Sequence, residues 1–154
     1  MRRRRMILAL AVVAMPAVLL AADDNRVGTW KYNAAKSKFD PGPAYKSRNV
    51  KVEAAGEGIK VAVEGVMADG KADAYSYTVN YDGKDYPITG SALADTIAYK
   101  KIDENTIEGT SKKGGQAVVS TTVVVAKDGK TMTVTTKGKS DKGPFTNVVI
   151  YDRQ

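Results

Sequence analysis

The sequence predicts an all-β protein, an antiparallel up-and-down meander barrel of roughly 8–10 strands. Apolar and polar residues alternate with a period of two over many short segments. Turn residues separate these segments about every eight to twelve positions, and no helical pattern reaches about ten residues. A β-sandwich is the alternative. We favour the barrel because most connections have hairpin length and closure removes exposed sheet edges.

Residues 1–22 predict a secretory signal peptide. Four arginines at 2–5 precede an apolar run over 6–20, and Ala21 and Ala22 supply the small residues that precede a cleavage site. The run is too short for a typical membrane span, although an uncleaved N-terminal anchor is the alternative. We therefore expect a bacterial periplasmic or secreted protein, cleaved near Ala22, with no stable membrane span after cleavage.

Residues 23–154 then predict a single domain. Without the four N-terminal arginines, its net charge is +3 rather than +7. Its lysines are spread over the turns, so we expect no nucleic-acid partner. The chain has no cysteine and no histidine, which excludes disulfides, a Ser-His-Asp triad and a histidine metal site. We expect no cofactor, no metal site and no enzymatic activity.

The first strand is predicted at 27–32, after a mobile polar lead-in at 23–26. It contains Trp30, the only tryptophan. Residues 33–46 predict a connecting loop across one end of the barrel, because Pro41, Gly42 and Pro43 exclude a helix after Phe39.

The remaining strands follow from alternation and turn residues. Residues 48–54 and 59–64 predict a hairpin about a turn at 56–58. Asp-Gly-Lys recurs at 69–71, 82–84 and 128–130, and each copy predicts a hairpin turn, because glycine tolerates a positive φ and aspartate accepts local backbone N–H groups. Further strands are predicted at 72–81, 85–89, 93–102, 106–112, 116–126, 131–137 and 145–152, with a loop at 138–144.

Three sequence features together resemble the lipocalins and fatty-acid-binding proteins, the calycin group. They are a Gly-x-Trp in the first strand (Gly28 and Trp30), an antiparallel meander behind a secretion signal, and a last strand that ends in the basic Arg153. The resemblance implies that Trp30 closes one end of a barrel and that Arg153 packs over its ring in a cation–π contact. The chain departs from the group in having no room for paired capping helices and no Arg-x-Tyr in its last strand.

Tyrosine is unusually frequent, with eight Tyr against two Phe. Tyr75 and Tyr77 share a strand face, and Tyr99 and Tyr151 lie on later strands. Phenols inside a barrel would line a ligand cavity with apolar walls and orienting hydroxyls. The alternative is that tyrosine serves only as a good strand residue on a partly exposed face.

Arg48, Lys101 and Arg153 are candidate anchors for an acidic head group. The direction of the side chains in 93–102 is open. One phase turns inward Leu93, Asp95, Ile97, Tyr99 and Lys101, which buries charge at a cost unless the charges pair or bind ligand. The other phase, which we favour, turns inward Ala94, Thr96, Ala98 and Ile102.

We therefore expect an exported protein that buries a small apolar or amphipathic ligand in a barrel interior. One alternative is a structural or interaction protein of the bacterial envelope with a core filled by its own side chains. A third is a hydrolase that uses two Asp or Glu residues in one cleft. The aspartates of the turns could suggest calcium, but their spacing indicates hairpin turns instead.

Overall fold

The structure is a computed structural model that describes residues 24–154. The predicted signal peptide, residues 1–22, lies outside the described residues. Eleven β-strands follow one another. They are β1 (Gly28–Tyr32), β2 (Lys38–Asp40), β3 (Tyr45–Ala55), β4 (Gly58–Met67), β5 (Ala72–Val79), β6 (Tyr86–Thr89), β7 (Thr96–Lys101), β8 (Thr106–Lys113), β9 (Gln116–Val125), β10 (Thr131–Ser140) and β11 (Gly143–Arg153). Within residues 24–154, no helix is long and apolar enough to cross a membrane.

Ten of these strands close into an antiparallel barrel. From β3 to β11 each strand pairs with its successor in the chain. β1 completes the ring, since Trp30 lies opposite Val50 of β3 on one side and Arg153 of β11 on the other. The short β2 adds to the free edge of β11, where Phe39 faces Asn147. The predicted meander barrel is confirmed, and the β-sandwich is wrong because one continuous sheet closes on itself through the pairing of β1 with β11.

Alternation along the strands sends one set of side chains into the barrel. Val50 and Val52 of β3 are buried with the exposed Lys51 between them, and Val61 and Val63 of β4 are buried on either side of the half-buried Ala62. The buried apolar cluster comprises Trp30, Val50, Val52, Ile59, Val61, Val63, Val79, Ile97, Tyr99, Ile107, Val123, Val125, Met132, Val149 and Tyr151. The interior is therefore lined mainly by β-branched and aromatic side chains, as the strand pattern predicts.

The three Asp-Gly-Lys turns have one geometry. In each, the aspartate side chain accepts a 3.0 Å hydrogen bond from the backbone N–H of the lysine two residues later. The central glycines have φ of 89°, 75° and 71°, values that L side chains rarely adopt. The turns at 69–71 and 128–130 join adjacent strands, and the turn at 82–84 lies between β5 and β6. The prediction of turns at these sites is confirmed.

Two predicted loops contain strand. β2 lies within the segment 33–46, where three residues pair with β11. Residues 138–144 extend the β10–β11 hairpin to the pair Ser140–Gly143, so the loop there is a tight turn. Both were missed because neither segment shows apolar alternation: the pairing is made by the backbone, beside a long partner strand.

Two further expectations are wrong. The segment before β1 is packed and not a mobile lead-in, because Arg26 is only 1 % exposed. In the segment 93–102, Ile97 and Tyr99 face inward, whereas Ile102 is 56 % exposed. The favoured phase is wrong because Asp95 precedes β7 and Lys101 is its last residue, so turning Tyr99 inward buries neither charge.

Candidate functional site

One end of the barrel is sealed by Trp30. Its side chain is fully buried and donates a 2.9 Å hydrogen bond from Nε1 to the carbonyl oxygen of Arg26. The Arg153 guanidinium lies 4.2 Å from the indole centroid, a cation–π distance. It also donates to the backbone carbonyls of Gly129 (2.6 Å), Val27 (2.7 Å) and Asn25 (2.6 Å). These two residues thus have the arrangement that the calycin resemblance implies.

Arg26 is a second charged group at this closed end. Its Nε lies 3.1 Å from Asp24 Oδ1 and 3.3 Å from the Tyr81 hydroxyl. The Tyr81 hydroxyl donates to Asp24, and burial raises the pKa of Tyr81. Sequence reasoning missed Arg26, because a lone arginine ahead of a strand carries no pattern that indicates burial.

Five of the predicted ligand-binding residues lie together inside the barrel. Arg48 comes from β3, Tyr75 and Tyr77 from β5, Tyr99 from β7 and Tyr151 from β11. The rings of Tyr75 and Tyr77 are stacked with centroids 6.5 Å apart. The hydroxyls of Tyr77 and Tyr99 are 3.4 Å apart. We call these five residues the inner polar wall.

Arg48 is held by a second set of contacts. Its Nη2 donates a 2.7 Å hydrogen bond to the Tyr75 hydroxyl, and the guanidinium lies 4.2 Å from the centroid of the Tyr45 ring. Its Nε lies 3.1 Å from Asp73 Oδ2. That contact is an ion pair without hydrogen-bond alignment, since neither atom has a hydrogen-bond partner among the described residues. Asp73 was missed, because it stands between two alanines in a strand with no other mark.

A glycine allows β3 to place Arg48. The register of β3 against β4 shifts between Tyr45 and Ser47. A Cβ on Gly65 of β4 would lie 2.2 Å from the Ser47 carbonyl oxygen and 2.9 Å from Arg48 Cα. Only a residue without a side chain lets the two backbones approach so closely at this irregularity.

The phenols of the inner polar wall stay protonated well above neutral pH. Burial raises the pKa of each of Tyr75, Tyr77 and Tyr151 above its ordinary value. Burial also raises the pKa of Tyr99 to about 12. For Arg48, burial opposes the charge, but the surrounding groups, Tyr75 foremost, outweigh it and raise the pKa. The wall therefore presents neutral hydroxyls around one permanent cation.

The inner polar wall keeps unused hydrogen-bonding capacity. A guanidinium has five N–H donors; within residues 24–154 Arg48 makes an aligned hydrogen bond from Nη2 to Tyr75, and its guanidinium also interacts with the Tyr151 hydroxyl. Tyr75 and Tyr77 face the interior and are only half-buried. The wall can thus donate to an acceptor atom placed beside it.

The structure does not bring Lys101 and Arg153 to this wall. Lys101 is exposed, and its Nζ lies 5.8 Å from the Tyr81 ring at the closed end. Arg153 is committed to Trp30 and three carbonyl oxygens. Of the three predicted head-group anchors, Arg48 alone faces the interior phenols.

Two depressions lie away from the barrel interior. One, of about 380 Å³, lies at the end opposite Trp30 and is lined by Tyr32, Ala34, Ser37, Phe39, Gly42, Pro43 and Tyr45. Its three aromatic rings meet edge to face, with centroids 5.6–6.2 Å apart. The other, of about 330 Å³, lies on the outer face of β7 and β8 beside Gly83 and Asp85. Tyr45 connects the first depression to Arg48, because one face of its ring carries the guanidinium.

Carboxylates with shifted pKa lie on turns and not in one cleft. Hydrogen bonds, from the Tyr86 hydroxyl foremost, lower the pKa of Asp82, and backbone N–H groups lower those of Asp95 and Asp103. These residues belong to three different connections. Within residues 24–154, no three Asp or Glu side chains are grouped to hold a metal ion. The pair of carboxylates that a hydrolase would need gains no support from these groups.

Known proteins resemble this chain in fold. No protein-family model and no curated protein matches its sequence. The S-type phycobiliprotein lyase from Guillardia theta superposes with a TM-score of 0.54 and 11 % identity, over 84 % of this chain and 89 % of that one. The zebrafish ileal bile acid-binding protein, solved with cholic acid, gives 0.50 and 7 %, over 84 % and 99 %. The predicted resemblance to calycin barrels is therefore confirmed at the level of the fold.

Proposed function

We propose that the protein is exported and binds a small amphipathic molecule inside its barrel. The apolar part of the ligand would pack against the aliphatic and aromatic interior, and its polar end would accept hydrogen bonds from Arg48 and neighbouring phenols. The inner polar wall is the observation on which this proposal depends. It holds a buried cation with unused donors beside two tyrosines that are only half-buried.

The energetics of the interior support this proposal. A buried guanidinium with unmet donors is costly, and a ligand acceptor would remove part of that cost. Covering the remaining accessible area of Tyr75 and Tyr77 would add roughly 25 cal/mol for each Å² of apolar surface. Both terms favour one ligand pose, with the polar end at Arg48 and the carbon body across the tyrosine rings.

The comparison with the zebrafish protein supports small-molecule binding in general. That protein was solved in complex with cholic acid, and its fold matches 84 % of this chain. At 7 % identity the match carries the fold alone. It supports the use of such a barrel for small molecules and leaves the ligand of this chain to experiment.

Native mass spectrometry of the protein purified from its own host, followed by organic extraction, tests the proposal. We expect a co-purifying small molecule near one-to-one stoichiometry. The variant Arg48→Met keeps the aliphatic stem of the side chain and removes the donors, so it should lose the molecule, and circular dichroism checks that it folds although Asp73 loses its ion-pair partner. Retention of the molecule by Arg48→Met would place the site elsewhere.

A second function has one observation in its favour. Both depressions lie outside the interior, and Trp30, Tyr99 and Tyr151 are each no more than 3 % exposed inside the barrel. On this basis the protein would act through its surface on an envelope partner. A ligand-free mass from the native host, together with no binding of added amphipathic probes, would favour this role.

Export belongs to the proposal and rests on residues 1–22. We expect secretion in a bacterial host to yield a product that begins near residue 23. The intact mass of protein from the periplasm or medium tests this. A full-length chain that remains in the cytoplasm would contradict it.

A further inference from the structure

The interior cation is already neutralised. Arg48 Nε and Asp73 Oδ2 form an ion pair at 3.1 Å, and both side chains are largely withdrawn from solvent, at 9 % and 13 % exposure. Among the described residues, Asp73 is the only acidic side chain within ion-pair distance of Arg48. The polar end of the site therefore holds one positive and one negative charge, with no net charge to offer.

This balance decides which head groups the site accepts. A carboxylate placed at Arg48 would leave one excess negative charge in a partly desolvated region and would face Asp73 across the guanidinium. Like charges at such distances repel strongly when water is excluded. An uncharged oxygen acceptor would use the free donors of Arg48 and add no charge.

The phenols around the ion pair also favour an uncharged oxygen acceptor over a carboxylate. Tyr75 already accepts a hydrogen bond from Arg48 at 2.7 Å, so its own hydroxyl proton is available to an acceptor. The hydroxyl oxygens of Tyr77 and Tyr99 lie 3.4 Å apart and share a single hydrogen bond, so one of the two hydroxyl protons is free to donate to a ligand. Burial holds these hydroxyls protonated. Neutral donors of this kind suit carbonyl, amide, ester or hydroxyl oxygens.

We infer that the Arg48–Asp73 ion pair makes the barrel selective for uncharged amphipathic ligands over carboxylates. The inference rests on the proposed function and offers an alternative to the sequence-based expectation that Arg48 anchors an acidic head group. It names Asp73 as the residue that determines specificity: without its charge, the same wall would accept an anion.

Octanoate and octanamide test the inference, because they share one chain and differ in charge at the polar end. Isothermal titration calorimetry near pH 7.5 gives both affinities. We expect the wild type to bind octanamide at least about tenfold more tightly than octanoate, since the anion leaves an unbalanced charge. Asp73→Asn should bring the ratio of the two affinities down by about tenfold or more, through tighter octanoate binding.

Asp69→Asn is the matched control. Asp69 lies in the neighbouring β4–β5 turn, is exposed and pairs with the exposed Lys71, so its removal should leave the ratio unchanged. The wild-type ratio alone decides the inference if Asp73→Asn does not fold. Octanoate binding as tight as octanamide binding, or a ratio that Asp73→Asn leaves unchanged, overturns the selectivity while the binding function stands. Failure of the wild type to bind either compound overturns the binding function, and the inference with it.

Discussion

Arg153 joins three parts of the chain at one residue. Its guanidinium stacks on Trp30 and donates to carbonyl oxygens before β1 and in the β9–β10 turn. Its planar fork can reach three acceptors at once, which a lysine ammonium on a flexible stem cannot do with the same geometry. The closed end of the barrel therefore depends on the shape of this side chain as well as on its charge.

Arg153→Ala should lower the free energy of unfolding by about 2–4 kcal/mol, because charged hydrogen bonds and a cation–π contact are lost together. Arg153→Lys should recover less than about half of that loss. Urea unfolding followed by far-ultraviolet circular dichroism measures both. Equal stability of the lysine variant and the wild type would show that charge alone matters here.

The residues of the inner polar wall show what sequence could predict. Tyr75 and Tyr77 occupy alternate positions of one strand, so their common face follows from the period of two. Whether that face lies inside depends on the hydrophobic partners across the sheet, and for Tyr99 the same uncertainty led to the wrong phase. Asp73 could not be predicted, because its role exists only through an ion pair with a residue twenty-five positions earlier.

Among the strands, β6 is the weakest part of the closed sheet. It joins β5 only at Ser76–Thr89 and Tyr77–Ile88, and β7 only at Tyr86–Ile97 and Pro87–Thr96. Proline has no N–H to donate. The inward-facing Ile88 and Tyr77 lie at this strand pair and are half-buried. An opening at β6 would therefore lead directly to the tyrosine rings.

Hydrogen exchange should detect this weakness. We expect amides of residues 86–95 to exchange at least about tenfold faster than those of β10, whose ladder to β11 runs from Thr131 to Ser140. Mass spectrometry of proteolytic fragments after deuterium labelling measures the difference. A bound interior ligand should slow exchange in 86–95 selectively. Equal protection of the two regions would mean that β6 is not a point of opening.

At the scale of the whole molecule, the barrel and its closure by Trp30 and Arg153 were predictable, whereas the other contacts at its two ends were not. Strand number and order follow from alternation and turn residues, and closure follows from the need to remove free edges. The sealing of one end by Arg26 and the pairing of β2 depend on contacts between distant segments. Such contacts leave no local pattern, so they emerge only when the strands are assembled.

The buried phenols should set the alkaline limit of the folded barrel. The folded-state pKa of Tyr99 is raised from 10.0 to about 12, so its stabilising contribution is complete below pH 10 and declines as pH rises towards 12. For this residue alone the loss is on the order of 2–3 kcal/mol. The pKa values of Tyr75, Tyr77 and Tyr151 shift in the same direction and make the decline steeper.

Urea midpoints measured between about pH 8 and 12, with phenolate absorbance near 295 nm, should show stability falling as protons leave on unfolding. The stability of the Tyr99→Phe variant should fall less steeply than that of the wild type above pH 10. Parallel curves of stability against pH would show that Tyr99 has the same pKa in the folded and unfolded chain.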